Sequence, residues 1–212
     1  MPSTLGDIRQ LVTVDIGGRS DSSAILVIDH GINLGILLAA ILFKPVELRK
    51  SSDVTYIANA EYYSFSTTSW LDIVRVRNTT SNYDLRFVAF DLLDRIVSSS
   101  LTIVKYYSIY GESLYLRKIP TANTSIRIYY LEEPAKLTNS SDPLPFDSFD
   151  GFIRTVASAS VFAAFEEADS VNMWNSIAAQ LNTILSLGTD NKATFGKVKG
   201  YLDQMVSITQ GK

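Results

Sequence analysis

An α+β fold is predicted by three observations. Apolar residues recur with helical spacing near both ends of the 212-residue chain, the middle alternates with period two, and 46% of the chain is apolar with no cysteine. The expected architecture is a helical hairpin at the N-terminus, a small antiparallel β-sheet or sandwich inserted over residues 51–131, C-terminal helices and an extended C-terminal tail. At this length a core of useful size forms without disulfide staples.

The first helix is expected over residues 4–16, where Leu5, Ile8, Leu11, Val12 and Ile16 share one stripe, with Ser3 as N-cap and Gly17-Gly18 as the stop. The polar link 19–23 leads to a second helix over 24–43, apolar nearly all round, which Pro45 ends. Such a helix suits burial on several sides or packing against neighbouring subunits. Strands are expected at 54–57, 62–65, 70–77, 103–109, 114–118 and 125–131, with a short helix at 91–96. Gly111 lies in the turn Tyr110-Gly111-Glu112-Ser113, where a hairpin needs positive φ. Pro143 and Pro145 hold an extended loop before a helix over 147–165, whose stripe is Phe149, Phe152, Ile153, Val156, Ser160 and Ala163. Its small residues 157–160 permit close approach of another helix. A last helix is expected over 170–187. Beyond it, residues 188–212 carry four lysines against two aspartates, a +2 tail on a body of −5.

Composition excludes several chemistries. With no Cys and only His30, a zinc site or thiol nucleophile lacks ligands, and no metal or cofactor is expected. No glycine-rich phosphate loop occurs, because Gly196-Lys197 lacks both the upstream glycine and the following Ser or Thr. The carboxylate pairs Asp91/Asp94, Glu132/Glu133 and Asp147/Asp150, and the group Glu166, Glu167 and Asp169, read as caps, first-turn dipole partners or solvated loops. His30 reads as a core or interface histidine. The start Met1-Pro2-Ser3 does not read as a secretory signal, and Asn33 shortens the clean apolar run of the second helix below the roughly 20 residues of a membrane span. The sequons at Asn78, Asn123 and Asn139 read as chance.

Surfaces carry more information. Tyr62-Tyr63, Tyr106-Tyr107 and Tyr129-Tyr130 each send one ring to either side of a strand. A sheet covered by helices on both sides explains this, and so does a subunit interface, where Tyr is enriched. The cations Arg75, Arg77, Lys105, Arg117, Lys118 and Arg127 are scattered among acids along the chain, a weak basis for a nucleic-acid stacking platform.

Six segments in order form a recognisable series: Thr4-Leu5-Gly6-Asp7-Ile8-Arg9; Ile32-Asn33; Tyr63-Ser64-Phe65 before Leu71-Asp72-Ile73-Val74-Arg75-Val76; Tyr106-Tyr107 with Gly111 and Leu114-Tyr115-Leu116; Ile126-Arg127-Ile128-Tyr129-Tyr130-Leu131-Glu132-Glu133-Pro134; and Asp142-Pro143-Leu144-Pro145 before an alanine-rich helix. This series resembles the head-to-tail adaptor (connector, head-completion) proteins of tailed bacteriophages over roughly residues 4–187. Departures are the strongly apolar run 36–43 and a longer C-terminal extension.

The resemblance implies one adaptor domain over 1–187 and a docking extension over 188–212. It implies a structural virion protein of the neck, made in the host cytoplasm and without enzymatic activity. Such proteins form a homo-oligomeric ring, typically of twelve copies, between the portal and a downstream tail or nozzle protein. DNA passes through the lumen without sequence-specific binding, and no membrane is involved. The basic tail is assigned to the portal through Lys192, Phe195, Lys197, Lys199, Tyr201 and Met205. Tyr63, Tyr107, Tyr129, Ile36 and Leu37 are the expected subunit interface. The alternatives are a tail-completion or terminator subunit, a small enzyme using His30, and a membrane-associated protein anchored by residues 24–43.

Overall fold

A computed structural model describes residues 3–64, 70–96, 103–111, 113–146 and 148–165. The chain divides into two compact units, one of residues 1–48 with 133–212 and one of residues 49–132. Helices build the first and two β-sheets the second, so the α+β class holds.

In the helical unit α1 spans Leu5–Asp15. Its cap is Thr4, one residue later than expected, because Thr4 and Asp7 form a reciprocal capping box. The Thr4 hydroxyl accepts from the Asp7 N–H at 3.2 Å, and the Asp7 carboxylate accepts from the Thr4 N–H at 2.8 Å. The Thr4 N–H, and then the Thr4 hydroxyl that also donates to the carboxylate at 2.8 Å, hold the Asp7 carboxyl below its usual range. Ser3 instead donates to the Asp150 carboxylate at the start of α4 (Asp150–Ala164). Gly17 and Gly18 end α1 at φ 76° and 83°, a conformation glycine adopts without strain.

The second helix, α2, spans Ser22–Phe43 and begins two residues before the apolar run, because the Asp21 side chain caps it by accepting from the Ala24 N–H at 3.0 Å. Its unusual feature is how closely it approaches α4. A Cβ on Gly31 would lie 2.8 Å from the Ala157 Cα and 3.0 Å from Ser160, and one on Gly35 would lie 3.0 Å from the Ile153 Cα. The small residues expected at 157–160 form one wall of this contact. The other is a pair of glycines four apart, on one face of α2. Around the crossing, Ile28, Ile32, Ile153 and Val156 are buried with Leu5, Ile8 and Val12 of α1. The apolarity of α2 is therefore spent inside its own unit. α4 begins three residues later than expected. Phe149, which precedes it, stacks on Phe43 at 4.6 Å and meets Phe146 edge-on at 5.6 Å. The helix predicted over 170–187 and the extension over 188–212 lie outside the described residues.

The second unit contains β1 (Arg49–Tyr56), β2 (Tyr62–Ser64), β3 (Trp70–Asn78), β4 (Tyr83–Asp84), β5 (Arg86–Phe87), α3 (Phe90–Leu93), β6 (Tyr106–Tyr110), β7 (Ser113–Arg117) and β8 (Thr124–Glu132). They form two four-stranded sheets, ordered β1-β8-β3-β4 and β2-β7-β6-β5. All pairs are antiparallel except β5 with β6. The first sheet turns Val54, Tyr56, Val76, Ile126 and Ile128 into a core that it shares with Tyr107, Leu114 and Leu116 of the second. The alternative of a single sheet is thereby resolved in favour of a sandwich.

β1 starts at Arg49, five residues before its period-two signal. Its first half is exposed and polar, and backbone pairing to β8 alone extends it. β4 and β5, two residues each, carry no periodicity. Gly111 takes φ 58° in the β6–β7 turn, as the hairpin requires.

Candidate interaction surfaces

Since Val54, Val76, Ile126 and Ile128 point into the sandwich, alternation turns Asp53, Arg77, Arg127 and Tyr129 to the outer side of the first sheet. There Arg127 forms a bidentate pair with Asp53, its register partner on β1, at 2.7 Å for both bonds. This pair holds the Asp53 carboxyl below its ordinary value and raises Arg127. The Arg75 guanidinium lies over the Tyr129 ring at 4.4 Å and 3.4 Å from Asp84. Lys50, on the same side of β1 as Val54 by alternation, reaches Glu132 at 3.9 Å at the end of the sheet. A shallow groove of about 360 Å³ runs here, lined by Arg49, Lys50, Ser51, Val74, Arg75, Tyr129 and Tyr130. Exposed pairs of this kind contribute little stability, and with Arg49, Arg75, Arg77 and Arg127 against Asp53 and Asp84 the face keeps an excess of positive charge.

The outer side of the second sheet is different in kind. Tyr107, Leu114 and Leu116 face the core, so Tyr115 and its neighbour Tyr62 face out, with ring centroids 5.6 Å apart. Phe90 of α3 stacks on Tyr110 at 4.5 Å and meets Tyr115 edge-on at 4.9 Å. Tyr62 and Tyr110 remain 52% and 62% exposed, and Leu92 48%. Arg117 ties α3 to β7 by donating to the carbonyls of Ile96 at 2.8 Å and Asp94 at 3.0 Å. Aromatic stacking and this tether prearrange the rings.

In the helical unit the polar atoms hold structure together. Asn33, buried on α2, accepts from the Leu137 N–H at 2.8 Å and donates to the Leu137 carbonyl at 3.1 Å and the Asp29 carbonyl at 2.8 Å. It thereby fastens the loop after β8 to α2. The same loop is tied to α1 through Leu5 and Gly6, whose N–H groups donate to the carbonyls of Asp142 and Ser140, each at 2.9 Å. Asp142 caps the loop's own turn, accepting from the N–H groups of Asn139 and Thr138, which lower its pKa. Arg9 binds both oxygens of Asp29 at 2.8 Å. His30 is half-buried, and its Nδ1 is buried without a hydrogen-bond partner among the described residues. Burial chiefly, and then the charge of Lys136, hold it below its ordinary pKa of 6.5, against the pull of Asp29. Arg154 closes the unit by pairing with Asp15, whose carboxyl it lowers. A second groove, about 420 Å³, lies between the ends of α1 and α4, with Arg19 over the Phe165 ring at 4.1 Å.

The expected interface residues separate into two sets. Ile36 and Leu37 are 1% and 2% exposed and Tyr107 is 6% exposed, each packed into its own unit's core. Tyr63 and Tyr129 are half-buried. Lys192, Phe195, Lys197, Lys199, Tyr201 and Met205 lie outside the described residues. Three of the cations that look scattered in sequence, Arg75, Arg77 and Arg127, meet on one sheet face. Their i, i+2 spacing on β3 hints at this, but the partner on β8 is visible only through register. Tyr62, Tyr110 and Tyr115 are outward rings that strand alternation alone does not single out. It marks Tyr107 and Tyr63 equally well and does not say which neighbour faces out.

Fold and surfaces together define an α+β protein with a packed helical unit and a sandwich that presents two chemically distinct outer faces. Residues 3–195 match the family model described as SU10 adaptor protein. The chain belongs to this family of phage head-to-tail adaptor proteins. No curated protein matches the chain.

Proposed function

We propose that the protein is a ring-forming adaptor that joins the portal of a phage head to the tail and forms part of the DNA conduit. The observation that carries this reading is the family match across residues 3–195. The surfaces support it. A ring of identical subunits needs two unlike, mutually complementary patches on each copy, and the sandwich offers a cationic face and an aromatic one. A dodecamer in the virion neck is the assembly proposed, with half-buried Tyr129 on the outer sheet face at a subunit contact, while Tyr63 packs against its own sandwich core. The net charge of −3 suits a conduit through which phosphates slide without being held. The +2 segment 188–212 is assigned to the portal, through Lys192, Phe195, Lys197, Lys199, Tyr201 and Met205.

Truncation after Leu187 tests the portal assignment. The shortened chain is expected to form rings but to lose co-sedimentation with portal, and unchanged co-assembly refutes the assignment. Class averages of the full chain showing no rotational symmetry would remove the ring itself. For the enzyme reading, His30→Gln is the discriminating variant, and unchanged particle assembly is the expected outcome.

A further inference from the structure

We infer that neighbouring copies join sandwich to sandwich, the cationic outer face of the β1-β8-β3-β4 sheet of one copy docking on the aromatic outer face of the β2-β7-β6-β5 sheet of the next. The inference rests on the ring reading above and names the two faces that make the ring.

The first support is chemical complementarity. One face carries guanidinium groups around a groove, with Arg49 and Arg75 along it. The other presents tyrosine rings whose π-faces are electron-rich, with Tyr62 and Tyr110 more than half exposed. Cations dock on such rings within about 6 Å, and Arg75 already does so on Tyr129 within its own chain at 4.4 Å. Asp91, exposed on α3, adds negative charge beside the rings, while Asp94 just after it is paired with Arg117 at 3.4 Å.

The second support is geometry. Both faces back onto one shared core, so they lie on opposite sides of the same sandwich. A contact from one side to the other repeats in a single direction, which is the heterologous arrangement that generates rings when the rotation closes. A two-fold dimer is disfavoured on the cationic face, since it would set like charges against one another. The third support is preorganisation. Tyr62, Tyr110 and Tyr115 are held by stacking on each other or on Phe90, so little side-chain freedom is lost on docking. The arginines, partly engaged with Asp53 and Asp84, set register and encounter more than affinity.

The experiment uses the full chain and two surface variants, Arg49→Glu/Arg75→Glu on one face and Tyr62→Ser/Tyr110→Ser on the other. Mass photometry and class averages report assembly, and circular dichroism confirms folding. Each variant is expected to move the assembly midpoint upward by more than about tenfold in concentration, the scale of losing a hot-spot contact. The mixture gives the sharper result. Each variant keeps the face that the other lacks, so equal amounts are expected to form a single-contact dimer, twice the 23.5 kDa chain, while neither alone does.

Rings that persist in both variants overturn the proposal and leave the adaptor reading standing. The proposal fails in that case even if the Arg49→Glu/Arg75→Glu ring has lost a salt-sensitive hold on duplex DNA. A mixture that stays monomeric overturns it as well. A wild-type chain that never assembles overturns both this proposal and the ring reading.

Discussion

The helical unit and the sandwich solve the problem of burial in opposite ways. Where α2 crosses α4 the chain removes side chains, with Gly31 and Gly35 against Ala157, Ser160 and Ile153, until the backbones nearly touch. The sandwich fills its interior with Tyr56, Tyr107, Leu114, Ile126 and Ile128, large residues on alternating strand positions. Charge divides along the same line. Residues 1–48 with 133–187 sum to −7, residues 49–132 to +2 and residues 188–212 to +2, giving the chain its −3. Many helical acids are used internally, as the caps Asp7, Asp21 and Asp142 and the ion-paired Asp15 and Asp29. The sandwich keeps cations and rings on its outer sides. The described helical residues thus spend their charges on internal ties, while the sandwich exposes cations and rings.

This contrast sets the size of the effects expected on perturbation. Leu114→Ala, at a position wholly buried among large side chains, is expected to cost about 4 kcal/mol in chemical denaturation. Hydrogen exchange should then locate the loss in residues 49–132. An effect below about 1 kcal/mol would show a loosely packed sandwich interior. Gly31→Leu follows at about 3 kcal/mol, because the added side chain meets the Ala157 backbone, which can move away only by separating the helices. Neutrality there would mean that the α2–α4 crossing is not the tight contact described.

Asn33→Leu comes next, at about 2 kcal/mol, since it leaves the Leu137 N–H and carbonyl without the partners that Asn33 provides. Asn33→Asp should cost at least as much at neutral pH, because its buried carboxylate only accepts and would face the carbonyls of Leu137 and Asp29, and it should recover part of the loss in acid, where the protonated carboxyl donates again. A loss in Asn33→Asp that does not change with pH would point to volume and away from hydrogen bonding.

The smallest effect is that of pH on the helical unit. His30 is lowered below 6.5 in the folded state, so the folded chain binds its proton less readily than the unfolded chain. Its contribution is fully present above pH 6.5 and fades as pH falls below that value. His30→Gln is expected to flatten this decline just below pH 6.5, leaving the carboxylates to act at lower pH. A wild-type stability that stays level through that window would show His30 to be solvated in the folded state.

Much of this was legible in the sequence, and the reasons are local. Helical spacing located α1 and α2, Pro45 stopped α2, and Gly111 marked the hairpin, because each signal acts through neighbours a few residues away. The caps were harder. Ser3 and Thr4 are chemically equivalent candidates, and the choice between them was made by Asp7, three residues after Thr4, and by Asp150, which takes up Ser3 from far along the chain. The apolar run 36–43 declared its hydrophobicity and nothing about its partner. Whether it met another subunit or its own chain depended on a glycine-lined crossing with α4.

The sequence by itself thus determined the class of fold, the order of its elements and the excluded chemistries, since absent cysteines and a single histidine cannot be restored by folding. Only the tertiary structure decided which ring of each tyrosine pair turns outward and which distant arginines share a face. Alternation defines two sides of a strand without naming them. The inner side is chosen by the sheet that packs against it, through a shared core of Val76 and Ile128 with Leu114 and Leu116 that no local pattern encodes.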